Sequence, residues 1–243
     1  MKVLFMGDSI TYLKTWVEHF NIMMKPEHYV NIAVSGAHWC DYENTIYDGA
    51  PVWRREDGGG PNNTICNQVE KVLRAKDESH PLYQKNADFD EFDVIFVMAG
   101  TNDHVPEAVP TPEEINTQFI DEDKKILPLD KVDCRTYAGA MRYTYEHLRR
   151  LYPNAKILYC SPIQAAEGVR SFVSIKLKGQ LIKAICDRIS DVVFVDTFNC
   201  GICGIYEEWD KNGRDLIDGL HPNGNGGKKI AEYNARVVKY LFL

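Results

Sequence analysis

Four short stretches of the 243-residue chain carry side chains suited to acyl transfer. They are Gly7-Asp8-Ser9-Ile10-Thr11, Ser35-Gly36, Gly100-Thr101-Asn102-Asp103 and Asp218-Gly219-Leu220-His221-Pro222. A serine hydroxyl is a poor nucleophile until a base takes its proton, and imidazole is the side chain that ordinarily exchanges protons near neutral pH. His221 is the candidate base for Ser9. Asp218, three residues earlier on a tight turn, can hold the second ring nitrogen and stabilise the imidazolium that forms. The tetrahedral oxyanion needs donors fixed in advance. The Ser9 amide at a helix start, the Gly36 amide and the Asn102 carboxamide are the candidates. Glycine at 36 also keeps a Cβ out of the way where backbone must approach substrate. Asp8 and Asp103 are expected to bond loop amides beneath the site.

For these stretches to meet, the fold must bring them to one edge. Short apolar runs at Lys2–Met6, Tyr29–Val34, Asp93–Ala99, Lys156–Cys160 and Val192–Asp196 read as buried strands. Between them the apolar spacing turns helical. Leu13, Trp16, Val17, Phe20 and Met24 share one face, with Pro26 as a stop. Tyr137, Met141, Tyr145 and Leu148 share another, on a helix opened by Asp133 and closed before Pro153. Leu177, Leu181, Ala184 and Ile185 mark a third, and a last helix near 225–241 buries Ile230, Val237 and Leu241. A further helix is expected over Thr64–Lys76, and Thr111-Pro112-Glu113-Glu114 is a capping box. Strands alternating with helices imply a parallel sheet covered on both faces. Ligands of such sheets bind beyond the carboxyl ends of the strands, where each of the four stretches lies.

At this point the chain resembles the SGNH, or GDSL-type, hydrolase superfamily. Gly7-Asp8-Ser9-Ile10, Gly36, Gly100-Thr101-Asn102-Asp103 and Asp218-Gly219-Leu220-His221-Pro222 match its four motif blocks in order. Ile10 stands where the family name has leucine, a conservative exchange. The resemblance implies a flavodoxin-like three-layer α/β/α sandwich with a five-stranded parallel sheet, order 2-1-3-4-5. It implies an ester hydrolase without metal or organic cofactor, in which Ser9 is the nucleophile, His221 the base and Asp218 its partner. Ser9, Gly36 and Asn102 are then the oxyanion donors. The expected substrate is a short-chain acyl or O-acetyl ester, including acetylated carbohydrate. The alternatives are a thioesterase or lysophospholipase on the same machinery, or a non-catalytic carbohydrate-binding protein.

Composition sets the remaining bounds. With 28 basic and 35 acidic side chains the formal charge is −7, and 44% of residues are hydrophobic. A net negative chain without a basic cluster argues against nucleic-acid binding. No apolar run approaches the roughly 18 residues of a membrane span. Seven cysteines without repeating spacing favour free thiols in a reducing compartment; with Met1 as the natural start, the expected location is the cytoplasm. Cys200 and Cys203 form a C-x-x-C but lack a second ligand pair, so a plain loop is expected. One domain over 1–243 is expected, with long loops at about 37–63 and 104–132. The acidic stretch Glu113–Lys125 reads as a solvated helix face. His38, Trp39 and His104 follow motif blocks and are candidates to line the pocket. Tyr42, Tyr47 and Trp53 either join them or pin the loop to the body.

Overall fold

The computed structural model describes residues 1–40, 46–47, 50–51, 64–79, 87–104, 108–209 and 213–243, of which 46–47, 50–51 and 87 by backbone only. The Gly-rich run 57–61 and the side chains of Tyr42, Tyr47 and Trp53 lie outside the described residues.

Five strands form one parallel sheet: β1 (Lys2–Gly7), β2 (His28–Asn31), β3 (Val94–Met98), β4 (Lys156–Cys160) and β5 (Val192–Val195). Their spatial order is β2-β1-β3-β4-β5, the expected 2-1-3-4-5. Alternation along the strands builds both faces. Val3 and Phe5 of β1 face α1 (Ser9–Tyr12), α2 (Thr15–Met24) and α7 (Gly224–Leu241), through Ile10, Trp16, Phe20 and Ile230. Leu4 and Met6 face the other way, toward α3 (Ile65–Lys76), α5 (Tyr137–Leu151) and α6 (Phe172–Cys186), through Val69, Met141 and Ile182. The result is three layers. On the first face Phe5 stacks on Phe96 with centroids 5.5 Å apart, and Trp16 meets Phe5 edge-on at 5.2 Å. Each such pair adds about 0.5–1.5 kcal/mol beyond its area burial.

The register places the site. Gly7 pairs with Met98, Met98 with Cys160, and Cys160 with Val195, so the strands end nearly level. The turns after β1, β2 and β3 therefore leave the sheet side by side. Gly7 permits this close fit: its φ is +152°, and a Cβ there would lie 2.2 Å from the Met98 carbonyl oxygen.

Several boundaries differ from the sequence reading. The second strand pairs only over His28–Asn31, because it is the sheet edge; Ile32 and Val34 continue with single amide bonds to Phe5 and Gly7 carbonyls. Leu13 is 48% exposed and lies before α2, because Lys14 adopts a left-handed backbone (φ 63°) that separates α1 from α2. α5 begins at Tyr137 with Thr136 as its cap, whose hydroxyl accepts from the Gly139 amide at 3.0 Å. Asp133, expected to open that helix, instead binds Arg135, with Nε at 2.7 Å. The capping box at Thr111 forms as read, opening α4 (Pro112–Asn116), but that helix ends before the acidic stretch does. Beyond it, Ile120 and Ile126 bridge across an exposed turn, and Arg142 of α5 anchors the excursion from below. The buried Arg142 guanidinium donates to the Gln118 and Leu127 carbonyls and to Glu146, and lies over the Phe119 ring.

The seven cysteines are free thiols, six of them buried. Burial pushes the Cys200 thiol up to about 11, which keeps it protonated. Among the described residues, no helix is long and apolar enough to cross a membrane, and no group of three or more His, Cys, Asp or Glu could hold a metal ion.

Candidate active site

The nucleophile candidate sits on a turn fixed from three sides. The Asp8 amide donates to the Met98 carbonyl at 3.1 Å. Asp8 caps α1 by accepting from the Ile10 amide at 3.0 Å. Gln68 of α3 clasps Gly7 with both ends of its carboxamide, accepting from its amide at 2.9 Å and donating to its carbonyl at 2.8 Å. Ser9 is thus the first residue of α1, where an amide left without an intrahelical partner can turn to a developing anion.

His221 approaches from the far end of the chain. Its Nε2 lies 2.9 Å from the Ser9 Oγ, and its Nδ1 lies 2.7 Å from Asp218 Oδ2. The other carboxylate oxygen, Oδ1, accepts from the Leu220 amide at 3.0 Å and the His221 amide at 2.8 Å. Partial burial pulls the Asp218 carboxyl upward, but the His221 amide and ring with the Leu220 amide outweigh it and hold it below its ordinary value. The turn is anchored by the Ile217 amide, which donates to the His221 carbonyl at 2.8 Å. Serine, imidazole and carboxylate therefore stand in line. Such a line can move the serine proton to the ring while the carboxylate steadies the charge.

The donor candidates converge less directly. Asn102 donates from Nδ2 to the Ala37 carbonyl at 3.1 Å, which ties the turn after β3 to the turn after β2. A carboxamide nitrogen carries two hydrogens, so one remains for an incoming oxyanion. Gly36 is exposed, has φ +79°, and a Cβ built there meets no atom within 4 Å. The backbone conformation demands glycine there, and the space beside it is open.

Asp103 is buried beneath these turns and accepts from the Trp39 amide at 3.0 Å and the Cys40 amide at 3.1 Å. Asp8 is likewise buried. Desolvation pushes its carboxyl up to about 6, and the nearby Asp103 charge adds to the rise, against the lowering effect of the Ile10 amide and Thr101. Both aspartates do the structural work expected of them.

Trp39 is a correction. It is fully buried and meets Tyr159 edge-on at 5.0 Å, so it belongs to the core and cannot line a pocket. The Asp103 bonds to its own and the next amide draw it inward. His38 is half-buried, with its carbonyl accepting from the Ile65 amide at 2.9 Å, and His104 is exposed immediately after Asp103. A cavity of about 300 Å³ lies against the Asp218 turn, lined by Ala166, Val169, Leu216, Ile217 and Glu208. The sequence reading missed Gln68 and Lys178. Lys178 lies 2% exposed on α6, at a position that continues the buried stripe of Ile175, Ile182 and Ile185; a lysine there is the signal.

A doubly covered parallel sheet of order 2-1-3-4-5 defines a flavodoxin-like three-layer α/β/α fold. The chain belongs to the GDSL-like lipase/acylhydrolase family, whose family model matches residues 5–229, and it is a hydrolase of ester bonds. A search of curated proteins gives no match. Among solved structures it is similar to a protein of Chitinophaga pinensis described as a possible lipase, at 17% identity and TM-score 0.62, covering 100% of this chain and 99% of that one. It is also similar to a GDSL-like lipase from Bacteroides thetaiotaomicron, at 16% identity and TM-score 0.51, covering 99% and 88%. A carbohydrate esterase family 2 enzyme with a carbohydrate-binding domain, from Corynascus thermopiles, matches at 15% identity and TM-score 0.55, over 99% of this chain and 66% of that one. At these identities the likeness concerns the fold.

Proposed function

We propose that the protein is a single-domain serine esterase that cleaves short-chain acyl or O-acetyl esters through an acyl-enzyme. Ser9 attacks the ester carbonyl as His221 takes its proton, and His221 returns that proton to the leaving alcohol. Water then repeats the sequence with the roles of nucleophile exchanged, releasing the acid. Asp218 holds the ring in the tautomer that presents a bare Nε2 to Ser9. The amides of Ser9 and Gly36 and the carboxamide of Asn102 receive the oxyanion. No metal or organic cofactor enters this sequence of steps.

The observation that carries the reading is the 2.9 Å approach of His221 Nε2 to Ser9 Oγ, with Asp218 on the opposite nitrogen. An acetylated carbohydrate is the substrate class we favour, in keeping with the carbohydrate esterase among the structural neighbours. His38 and His104 are proposed to border the alcohol side.

Ser9→Ala tests the assignment. The variant should lose turnover of p-nitrophenyl acetate and labelling by a fluorophosphonate probe while melting like the parent. Full activity in Ser9→Ala would overturn it. A chain-length series of acyl esters, run beside acetylated sugars, separates a short-chain esterase from a lysophospholipase or thioesterase.

A further inference from the structure

The structure holds a buried lysine that the proposed reaction does not use. Lys178, on the inner face of α6, donates from Nζ to the Thr101 carbonyl at 3.1 Å and is 2% exposed. An ammonium carries three donors and a full charge, and burying it without opposite charge is expensive. The opposite charges near it are the carboxylates of Asp103 and Asp8, while Arg170 is the opposing cation. Burial pushes the Lys178 pKa down, and the two carboxylates pull it back up.

Those two carboxylates hold the candidate site together. Asp8 accepts from the Ile10 amide and so fixes the Ser9 turn. Asp103 accepts from the Trp39 and Cys40 amides and so fixes the loop that begins at Gly36. Thr101, whose carbonyl Lys178 binds, directly precedes Asn102. One ammonium thus binds the stretch that carries Asn102 and lies within the field of the two carboxylates that fix the other two. Asp8 and Asp103 repel each other, and the Lys178 ammonium is attracted to both, to Asp103 the more strongly.

We infer that Lys178 is a positioning residue for the oxyanion side of the site, binding the Thr101 carbonyl and neutralising the Asp8–Asp103 pair beneath the Ser9 and Asn102 turns. This rests on the serine-esterase reading above. Without the ammonium, the two carboxylates push the turns after β1 and β3 apart. The Ser9 amide and the Asn102 carboxamide then no longer converge on one point. Because oxyanion contacts strengthen in the transition state, the loss falls on kcat and spares KM.

The test is Lys178→Met in the full chain, with p-nitrophenyl acetate as substrate and circular dichroism and a thermal melt as checks on folding. Lys178→Met should lower kcat by about 10²-fold with KM within about threefold of the parent, the scale expected when catalytic groups shift by about an ångström. In an Asp103→Asn background the same substitution should lower kcat by less than about tenfold, because the larger of the two charges it balances has gone. A folded Lys178→Met with parental kcat overturns the inference if Ser9→Ala is inactive. Full activity in Ser9→Ala instead overturns the esterase reading itself. A loss confined to KM, or one of equal size in the Asp103→Asn background, also overturns the inference. Lys178→Gln keeps a donor for Thr101 without the charge and replaces Lys178→Met if the latter does not fold. Failure of both to fold assigns the lysine to stability alone and overturns the inference.

Discussion

Replacing Asp218 by asparagine separates the charge of the carboxylate from its shape. The Oδ1 side accepts from the Leu220 and His221 amides, and an amide oxygen can keep both bonds, so the turn should stand. The Oδ2 side faces His221 Nδ1 at 2.7 Å, where an NH2 group offers a donor in place of an acceptor. Two unit charges about 4 Å apart interact by about 4 kcal/mol near a protein surface and about 1 kcal/mol in bulk water. The Asp218 side chain is 54% exposed, so the stabilisation of the imidazolium falls between these limits, at about 2–3 kcal/mol. That corresponds to roughly 30- to 150-fold in kcat. Selecting the wrong ring tautomer adds to it, for an expected loss of about 10²–10³, short of the roughly 10⁴ known for a buried triad aspartate. Initial rates with p-nitrophenyl acetate, beside a thermal melt, measure it. A folded Asp218→Asn with kcat within threefold of the parent would refute the orienting role, and a loss of 10⁴ or more would refute the solvent-screening argument.

Other perturbations probe the surrounding frame. Asn102→Ala should lower kcat by about 10²–10³-fold, since it removes a donor and also the tether to Ala37, and steady-state kinetics would show the loss mainly outside KM. Asp8→Asn should gain stability relative to the parent as pH rises. The folded carboxyl ionises near 6 instead of the ordinary 3.8, so the parent loses stability between about pH 4 and pH 6, by about 3 kcal/mol at most. Urea unfolding at pH 4 and pH 7 checks this, and an equal difference between the two proteins at both values would contradict it. Arg142→Met should cost about 3 kcal/mol or more, because Glu146 and two carbonyls lose a buried partner; a melt unchanged from the parent would count against that anchor.

The sheet and its motif turns were legible because both signals are local. Lys156–Cys160 forms the strand read from its composition, and the capping box at Thr111 forms as read, since each depends on neighbours in sequence. What escaped depends on partners far along the chain. Asp133 has the side chain of a helix cap, yet Arg135 takes it and Thr136 caps instead. Trp39 follows a motif glycine and resembles a binding aromatic, but Asp103, from a distant stretch, turns its amide inward. Lys178 hides in a helix whose apolar spacing reads as complete without it; only its place on the stripe marks it. The Ser9–His221 approach spans 212 residues, and no local pattern encodes the distance itself.

The grip of Arg142 on the excursion after β3 has an evolutionary corollary. Its guanidinium holds Gln118 and Leu127 by their main-chain oxygens, which every amino acid possesses. Apart from Phe119, whose ring lies under the guanidinium, side chains between those two residues can therefore change without releasing the fastening. Sequence drift, or a deliberate library, over 120–126 can alter this stretch of the periphery while its main-chain fastening holds.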